Sequence, residues 1–245
     1  MTRSQPHPIL PSNQDRSRFV SEMFGRIASR YDLMNTVMTF GQDAWWRRLA
    51  VTAAAPPTDG VALDVGTGTG KVASDLARRM TGGRVIASDF SEAMLRQGQN
   101  SLESTPEVHR VQFVVGDALH LPCPNASMDC VTSAFTVRNL TSAVEGFREM
   151  ARVTRPGGRV VCLEITRLDN PLQRKLFGIY FSGLVPLIGR LISGDDTAYR
   201  YLPASVDAFL NPYELAVQMR EAGLVFITRR MLGMGTVTML TGTKP

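Results

Sequence analysis

Val61-Ala62-Leu63-Asp64-Val65-Gly66-Thr67-Gly68-Thr69-Gly70 is an apolar run that meets a carboxylate and three alternating glycines, directly ahead of a helix-forming segment starting near Lys71. A strand that runs through a glycine turn into a helix is the opening unit of a ligand-binding α/β fold. Glycine lets the backbone turn sharply and approach a ligand with no Cβ in the way. The helix start adds unpaired N–H groups at the same place.

Spacing separates the ligands that use such a loop. A phosphate-cradling P-loop needs glycine at position 65 and Ser or Thr at 72, where this chain has Val65 and Val72. A dinucleotide fingerprint counted from Gly66 breaks at Lys71, but counted from Gly68 it meets the looser form ending in Ala73. Asp64 tips the balance: a carboxylate at the strand tip repels a pyrophosphate and suits a cationic or amine-bearing ligand such as S-adenosylmethionine. The loop residues Asp64, Gly66, Gly68, Thr69 and Gly70 are therefore candidates for cofactor binding.

Two further strand tips point the same way. Arg84-Val85-Ile86-Ala87-Ser88-Asp89 reads as a buried strand ending in a carboxylate about 20 residues after the loop, placed to hold a ribose diol. Val111-Gln112-Phe113-Val114-Val115 leads into Gly116-Asp117-Ala118, where Asp117 can bond an adenine amine with Ala118 flat beside the ring. Each aspartate alone reads equally well as a helix cap or turn residue. At these spacings the three favour one nucleoside site.

Outward from the loop, Phe19, Phe24, Ile27, Tyr31, Met34, Val37 and Met38 recur at three- and four-residue steps, predicting helices ahead of the first strand that lie over the cleft. After it, helices near 72–80, 93–101 and 143–153 alternate with strands at 84–89, 111–115, 128–135 and 159–165. This is the βαβ pattern of a doubly wound parallel sheet. The polar pair Arg138-Asn139 follows the fourth strand, where chemistry sits in open α/β sheets. Arg155-Pro156-Gly157-Gly158 reads as a structural turn that stops a helix.

The chain has 245 residues, 44% hydrophobic and 20% charged, and no apolar run approaches the roughly 20 residues of a membrane span. Its net charge of +5 is spread along the chain without a basic block, which argues against nucleic acid. Cys123, Cys130 and Cys162 lack metal-ligand spacing, and His7, His109 and His120 are isolated, so no metal is expected. Free thiols in apolar strands suit a reducing cytoplasm. Residues 1–18, rich in Pro, Ser, Asn and Gln, read as a flexible tail before one domain spanning 19–245.

With these residues in view, the chain resembles the class I S-adenosylmethionine-dependent methyltransferases, and within them the ubiquinone/menaquinone biosynthesis C-methyltransferase family. The resemblance covers nearly the whole chain. It rests on Tyr31-Asp32-Leu33-Met34-Asn35, Trp46-Arg47-Arg48, the glycine loop, Phe135-Thr136-Val137-Arg138-Asn139, Arg152-Val153-Thr154-Arg155-Pro156-Gly157-Gly158 and Tyr199-Arg200-Tyr201-Leu202. Lys71 stands where the family usually has an acid, Ala134 where it has serine, and Thr136 where it has glycine. Near the C-terminus Leu240 stands where the family tends to have histidine.

The resemblance implies a seven-stranded Rossmann-like sheet, mostly parallel with an antiparallel C-terminal hairpin, a helical cap at 19–55 and a helical insertion at 167–210 over the cleft. It implies S-adenosyl-L-methionine as cofactor, with Ala134 completing the cofactor set, and a lipophilic prenylated quinol as substrate. C-methylation needs a ring oxyanion to raise carbon nucleophilicity. Arg138 is the candidate cation for it, with Asn139 and Tyr31 aligning the ring or relaying its proton. Arg138 pairing with Glu145 at the surface is the plain structural alternative. The uncharged stretch 176–189, flanked by Arg174-Lys175 and Arg190, reads either as a buried cap or as a lid with peripheral membrane contact. A methyltransferase for another phenolic compound, a nicotinamide-dependent reductase and a non-catalytic cofactor binder stay open as alternatives, as does the oligomeric state.

Overall fold

The computed structural model describes residues 10–12, 15–180, 183 and 196–245. Helices α1 (Arg16–Met38) and α2 (Gln42–Ala54) precede β1 (Val61–Val65), α3 (Lys71–Arg79), β2 (Arg84–Asp89), α4 (Glu92–Leu102) and β3 (Val111–Val115). There follow β4 (Met128–Ala134), α5 (Ala143–Val153), β5 (Thr154–Ile165), α6 (Pro171–Ile179), α7 (Asp196–Asp207), α8 (Pro212–Glu221), β6 (Val225–Leu232) and β7 (Val237–Thr243).

The seven strands form one sheet in the order β3-β2-β1-β4-β5-β7-β6. β1 sits between β2 and β4, so the chain winds outward in both directions from the β1/β4 pair, and the connections there diverge and leave a crevice. β7 runs antiparallel to both β5 and β6. It therefore lies inside the sheet and is the one reversed strand, while β6 forms the edge and runs with the others. This refines the expected terminal hairpin.

Alternation along the strands builds two apolar layers. Ala62, Val85, Ala87, Val161 and Leu163 face α2 and α3, against Trp46, Ala50, Leu76 and Met80. Leu63, Val65, Val131, Val160 and Leu240 face α5 and α8, against Phe147, Met150, Leu215 and Met219. The strands are buried on both faces, which is why they read as continuous apolar runs. Cys130 and Cys162 are buried free thiols, and burial pushes the Cys130 thiol up to about 12.

A smaller cluster joins α1 to α7, where Met23, Ile27, Ala198 and Tyr201 pack with Phe19, Phe24 and Tyr31. Helix α1 begins at Arg16, inside the stretch read as a tail, because Arg16 Nη1 donates to the Leu140 carbonyl at 3.1 Å and anchors that end over the sheet. Residues 1–9 and 13–14 of that stretch lie outside the described residues, as do 181–182 and 184–189 of the uncharged stretch. Strand β5 begins five residues earlier than expected from the Pro-Gly-Gly turn. The register jumps from Met128↔Thr154 to Cys130↔Arg159, so the turn is looped out within the strand, with Gly157 at φ +79°. Asn211 and Glu214 form a capping box at α8, with Pro212 at its first position. No helix among the described residues is long and apolar enough to cross a membrane.

Candidate active site

At the carboxyl ends of β1 to β4 lies a cleft of about 810 Å³, counted with its open mouth. The glycine loop forms its floor. Gly66, Gly68 and Gly70 adopt φ of +66°, +56° and +76°, a region costly for residues bearing a Cβ. A Cβ on Gly66 would overlap the Thr136 side chain, and one on Gly70 would press on the Phe113 ring at 2.9 Å. The alternating glycines thus follow from both backbone sign and lack of room.

Six of the expected cofactor residues line this cleft: Gly66, Gly68, Asp89, Asp117, Ala118 and Ala134. Asp89 accepts from the Gly68 amide and the Ser91 amide, each at 2.8 Å, which fixes its carboxylate at the end of β2. Burial raises its pKa, against the pull of those amides. Asp117 accepts from the Leu119 amide at 2.9 Å and lies 3.2 Å from His120 Nδ1. Its carboxylate remains partly exposed at the cleft wall.

The other three, Asp64, Thr69 and Gly70, do not line the cleft. Asp64 is 1% exposed, with Thr67 Oγ1 donating to one carboxylate oxygen at 2.6 Å and Thr132 Oγ1 to the other at 2.7 Å. Burial pushes its pKa up to about 6. Thr69 Oγ1 donates to Asp32 Oδ1 at 2.6 Å, and Lys71 Nζ reaches Asp32 Oδ2 at 3.3 Å. Helix α1 is thereby fastened to the cofactor loop, and Lys71, an oddity in the sequence, has its partner. Asp32 went unassigned as a site residue although it stands in the Tyr31-Asp32 box.

A second cleft abuts the first and shares Phe24, Tyr31 and Phe135 with it. Its walls are apolar, from Met23, Ile27, Met34, Trp46 and Ile165, with Arg138, Tyr201, Asp43 and Arg47 set among them. Phe135 has φ +59°, a strained setting for a bulky aromatic residue, and its ring lies 6.5 Å from Trp46 between the two clefts. The amide of Phe135 is bonded to the Leu163 carbonyl at 2.7 Å, which helps hold the bend.

Arg138 is buried. Its Nη1 donates to Glu164 Oε1 at 2.7 Å and to the Phe135 carbonyl at 2.6 Å, and its backbone amide donates to Glu164 Oε2 at 3.1 Å. Burial alone would discourage the charge, but Glu164 outweighs it and keeps the guanidinium pKa raised. The surface pairing with Glu145 does not occur; Glu145 pairs with Arg148. Asn139 lines the first cleft and accepts from Tyr201 Oη at 3.1 Å. Burial raises the Tyr31 pKa, so its phenol stays protonated at neutral pH, with Asn35 and the Arg138 charge acting the other way. Glu164, Tyr201, Asp43 and Arg47 were not foreseen as site residues, although Arg47 and Tyr201 belong to quoted motifs. Among the described residues no three His, Cys, Asp or Glu side chains gather as a metal site.

The sequence profile of the ubiE/COQ5 methyltransferase family matches residues 12–244. The chain is 45% identical over 236 residues to a demethylmenaquinone methyltransferase of Roseiflexus castenholzii, covering 96% of this chain and 98% of the relative. It is 35% identical over 237 residues to a ubiquinone/menaquinone biosynthesis C-methyltransferase UbiE of Pseudomonas entomophila, covering 96% and 92%. A solved S-adenosylmethionine-dependent methyltransferase structure from Thermotoga maritima superposes with a TM-score of 0.63 at 18% identity, covering 92% and 99%; at that identity the likeness is one of fold.

Proposed function

The chain belongs to the ubiE/COQ5 methyltransferase family, and from that premise we propose that it transfers a methyl group from S-adenosylmethionine to a ring carbon of a prenylated quinol, demethylmenaquinol or a ubiquinol precursor, in respiratory quinone biosynthesis. The observation that carries this reading is the pair of abutting clefts. One is rimmed by glycines and the Asp89 and Asp117 carboxylates. The other is apolar with a buried guanidinium, and Phe135 and Tyr31 stand where the two meet.

The first cleft fits the cofactor on its own geometry. Gly66 and Gly68 leave backbone open to it, and the Asp89 oxygens, each holding one amide, keep lone pairs for a ribose diol. Ala118 gives a flat wall for adenine and Asp117 an acceptor for its amine. Asp64 acts through the loop: with both oxygens engaged by Thr67 and Thr132, it fixes the curve of the glycine turn and contributes negative potential beneath it. S-adenosylmethionine supplies, when bound, an electrophilic methyl group on a sulfonium.

The protein's contribution is to make the ring carbon nucleophilic and to hold it in line. Arg138 stabilises the developing ring oxyanion in an apolar, water-poor setting, where such a contact is stronger than in water. Glu164 holds the guanidinium in place without access to the cleft. Tyr31, where the two clefts meet, aligns the ring, and Asn139, fixed by Tyr201, holds a water that takes the displaced ring proton.

A lipophilic substrate reaches the protein from a membrane. Leu172, Leu176 and Ile179 of α6 are exposed beside Arg174 and Lys175, and Phe40, 76% exposed, has its ring 6.3 Å from that of Tyr180 at the end of that helix, tilted by 40°. Apolar side chains with basic neighbours are the composition of a membrane-surface helix.

Calorimetric titration with S-adenosylhomocysteine tests the reading, on wild type and Asp89→Ala, with NAD(H) as control, followed by turnover of demethylmenaquinol. Binding by the wild type, a loss of at least tenfold in Asp89→Ala, and methylation of the quinol are expected. Binding of NAD(H) in place of the nucleoside, or no methylation of any quinol, overturns it.

A further inference from the structure

The second cleft is lined by a second ion pair that takes no part in the methyl transfer proposed above, buried on its acid side and part-buried at its arginine. Arg47, on α2, donates through Nη1 to Asp43 Oδ2 at 2.6 Å, and Asp43, 3% exposed, also accepts from Thr39 Oγ1 at 3.1 Å. Both charged residues line the cleft. Arg47 Nε, the Trp46 indole N–H and Arg138 Nε are each buried without a hydrogen-bond partner. Folded proteins rarely leave a buried donor unpaired, and each exception calls for an explanation such as a missing water, ion or ligand. All three belong to residues lining this cleft, although the atoms themselves have no accessible surface in it.

The two guanidiniums come from different walls. Arg138 belongs to the turn after β4 and is neutralised by Glu164 on β5; Arg47 belongs to α2 and is neutralised by Asp43 one helical turn earlier. Neutralised pairs let an apolar ring enter without facing an isolated charge, while the guanidinium N–H donors that the paired acid does not take still select for oxygen. A 1,4-dihydroxylated ring carries one oxygen at each end. A cleft lined by neutralised guanidiniums from two different elements offers a donor to each of those oxygens, where a monophenol would use only one.

We propose that Arg47 is a second substrate-binding residue, taking the ring oxygen para to the one at Arg138, and that it makes the enzyme selective for 1,4-dioxygenated rings. This rests on the quinol reading above.

The test compares a short-prenyl 1,4-naphthohydroquinone with the matching naphthol lacking the second hydroxyl. KM, kcat and S-adenosylhomocysteine affinity are measured for wild type, Arg47→Gln, and Asp43→Asn/Arg47→Gln, the last leaving no unpaired buried charge if the single change impairs folding. The wild type should favour the hydroquinone by about 10- to 100-fold in kcat/KM. In both variants the preference should fall to within about threefold, carried by KM, with cofactor affinity unchanged, and Arg47→Lys should regain part of it. Wild-type preference kept by the variants, or no preference in the wild type, overturns the assignment. Failure of the wild type to methylate either ring while binding the nucleoside overturns the quinol reading itself, and this assignment with it.

Discussion

Arg138 and Glu164 are bound to each other twice, through the Arg138 backbone amide at 3.1 Å and its Nη1 at 2.7 Å, on a carboxylate with 0% exposure. The turn after β4 is thereby locked to the end of β5, and the guanidinium that lines the second cleft is aimed by a partner closed off from that cleft.

Arg138→Met leaves Glu164 as an uncompensated buried charge. Denaturant unfolding should show a loss of about 3–5 kcal/mol. Arg138→Met/Glu164→Gln should recover most of that stability while quinol turnover stays low at normal S-adenosylhomocysteine affinity. Recovery of turnover along with stability would remove the oxyanion role.

Gly66→Ala places a Cβ at φ +66° and into Thr136. The left-handed setting alone costs about 1–2 kcal/mol. Nucleoside affinity by calorimetry should fall at least tenfold. Gly66→Ala/Thr136→Gly should regain part of it, because the overlap goes and the backbone sign stays. Full affinity in the single variant would mean that the loop does not hold the ligand.

The pH dependence of stability carries the mark of Asp64. Its pKa rises on folding from 3.8 to about 6, so the folded state binds the proton more tightly than the unfolded one. That contribution is fully present below the unfolded value and is lost as pH rises through about 6. At about 1.4 kcal/mol per pH unit, its upper bound is about 3 kcal/mol. Relative to Asp64→Asn, the wild type should lose stability between pH 4 and 7, in urea unfolding at matched salt. Asp89, displaced in the same direction, adds a parallel trend to both proteins. A wild type that gains on the variant as pH rises would contradict the assignment.

Vesicle co-sedimentation addresses α6. Wild type should bind anionic vesicles at low salt and release them as salt rises. Leu176→Glu or Arg174→Glu/Lys175→Glu should lower the bound fraction several-fold without changing the thermal midpoint, since these residues are exposed. No binding by the wild type at low salt ends the membrane reading.

Much of this was legible in the sequence because the informative residues are local. The bounds of β1, β2, β3 and α5 follow from apolar runs and their flanking turns, and the glycine loop from its alternation. What was not legible depends on pairs distant in the chain. Asp32 is 37 residues from Thr69, and Glu164 is 26 from Arg138, so neither bond leaves a periodic trace. The place of Asp64 beneath the loop was missed because a strand-tip carboxylate looks the same in sequence whether it faces ligand or two threonines. The antiparallel C-terminal hairpin at the sheet edge was legible too, but two short apolar strands do not say which of them pairs with β5.

Helix α1 is fastened at Asp32 to the glycine loop, and one residue earlier Tyr31 borders both clefts, the proposed seats of the two ligands. Any ordering of that helix is therefore common property of both ligands. A ligand that ordered the helix would lower the entropic cost for the other, and by linkage each would then raise the affinity for its counterpart by the same factor. The two substrates of this enzyme are thus expected to sense each other across a single helix before any bond is made.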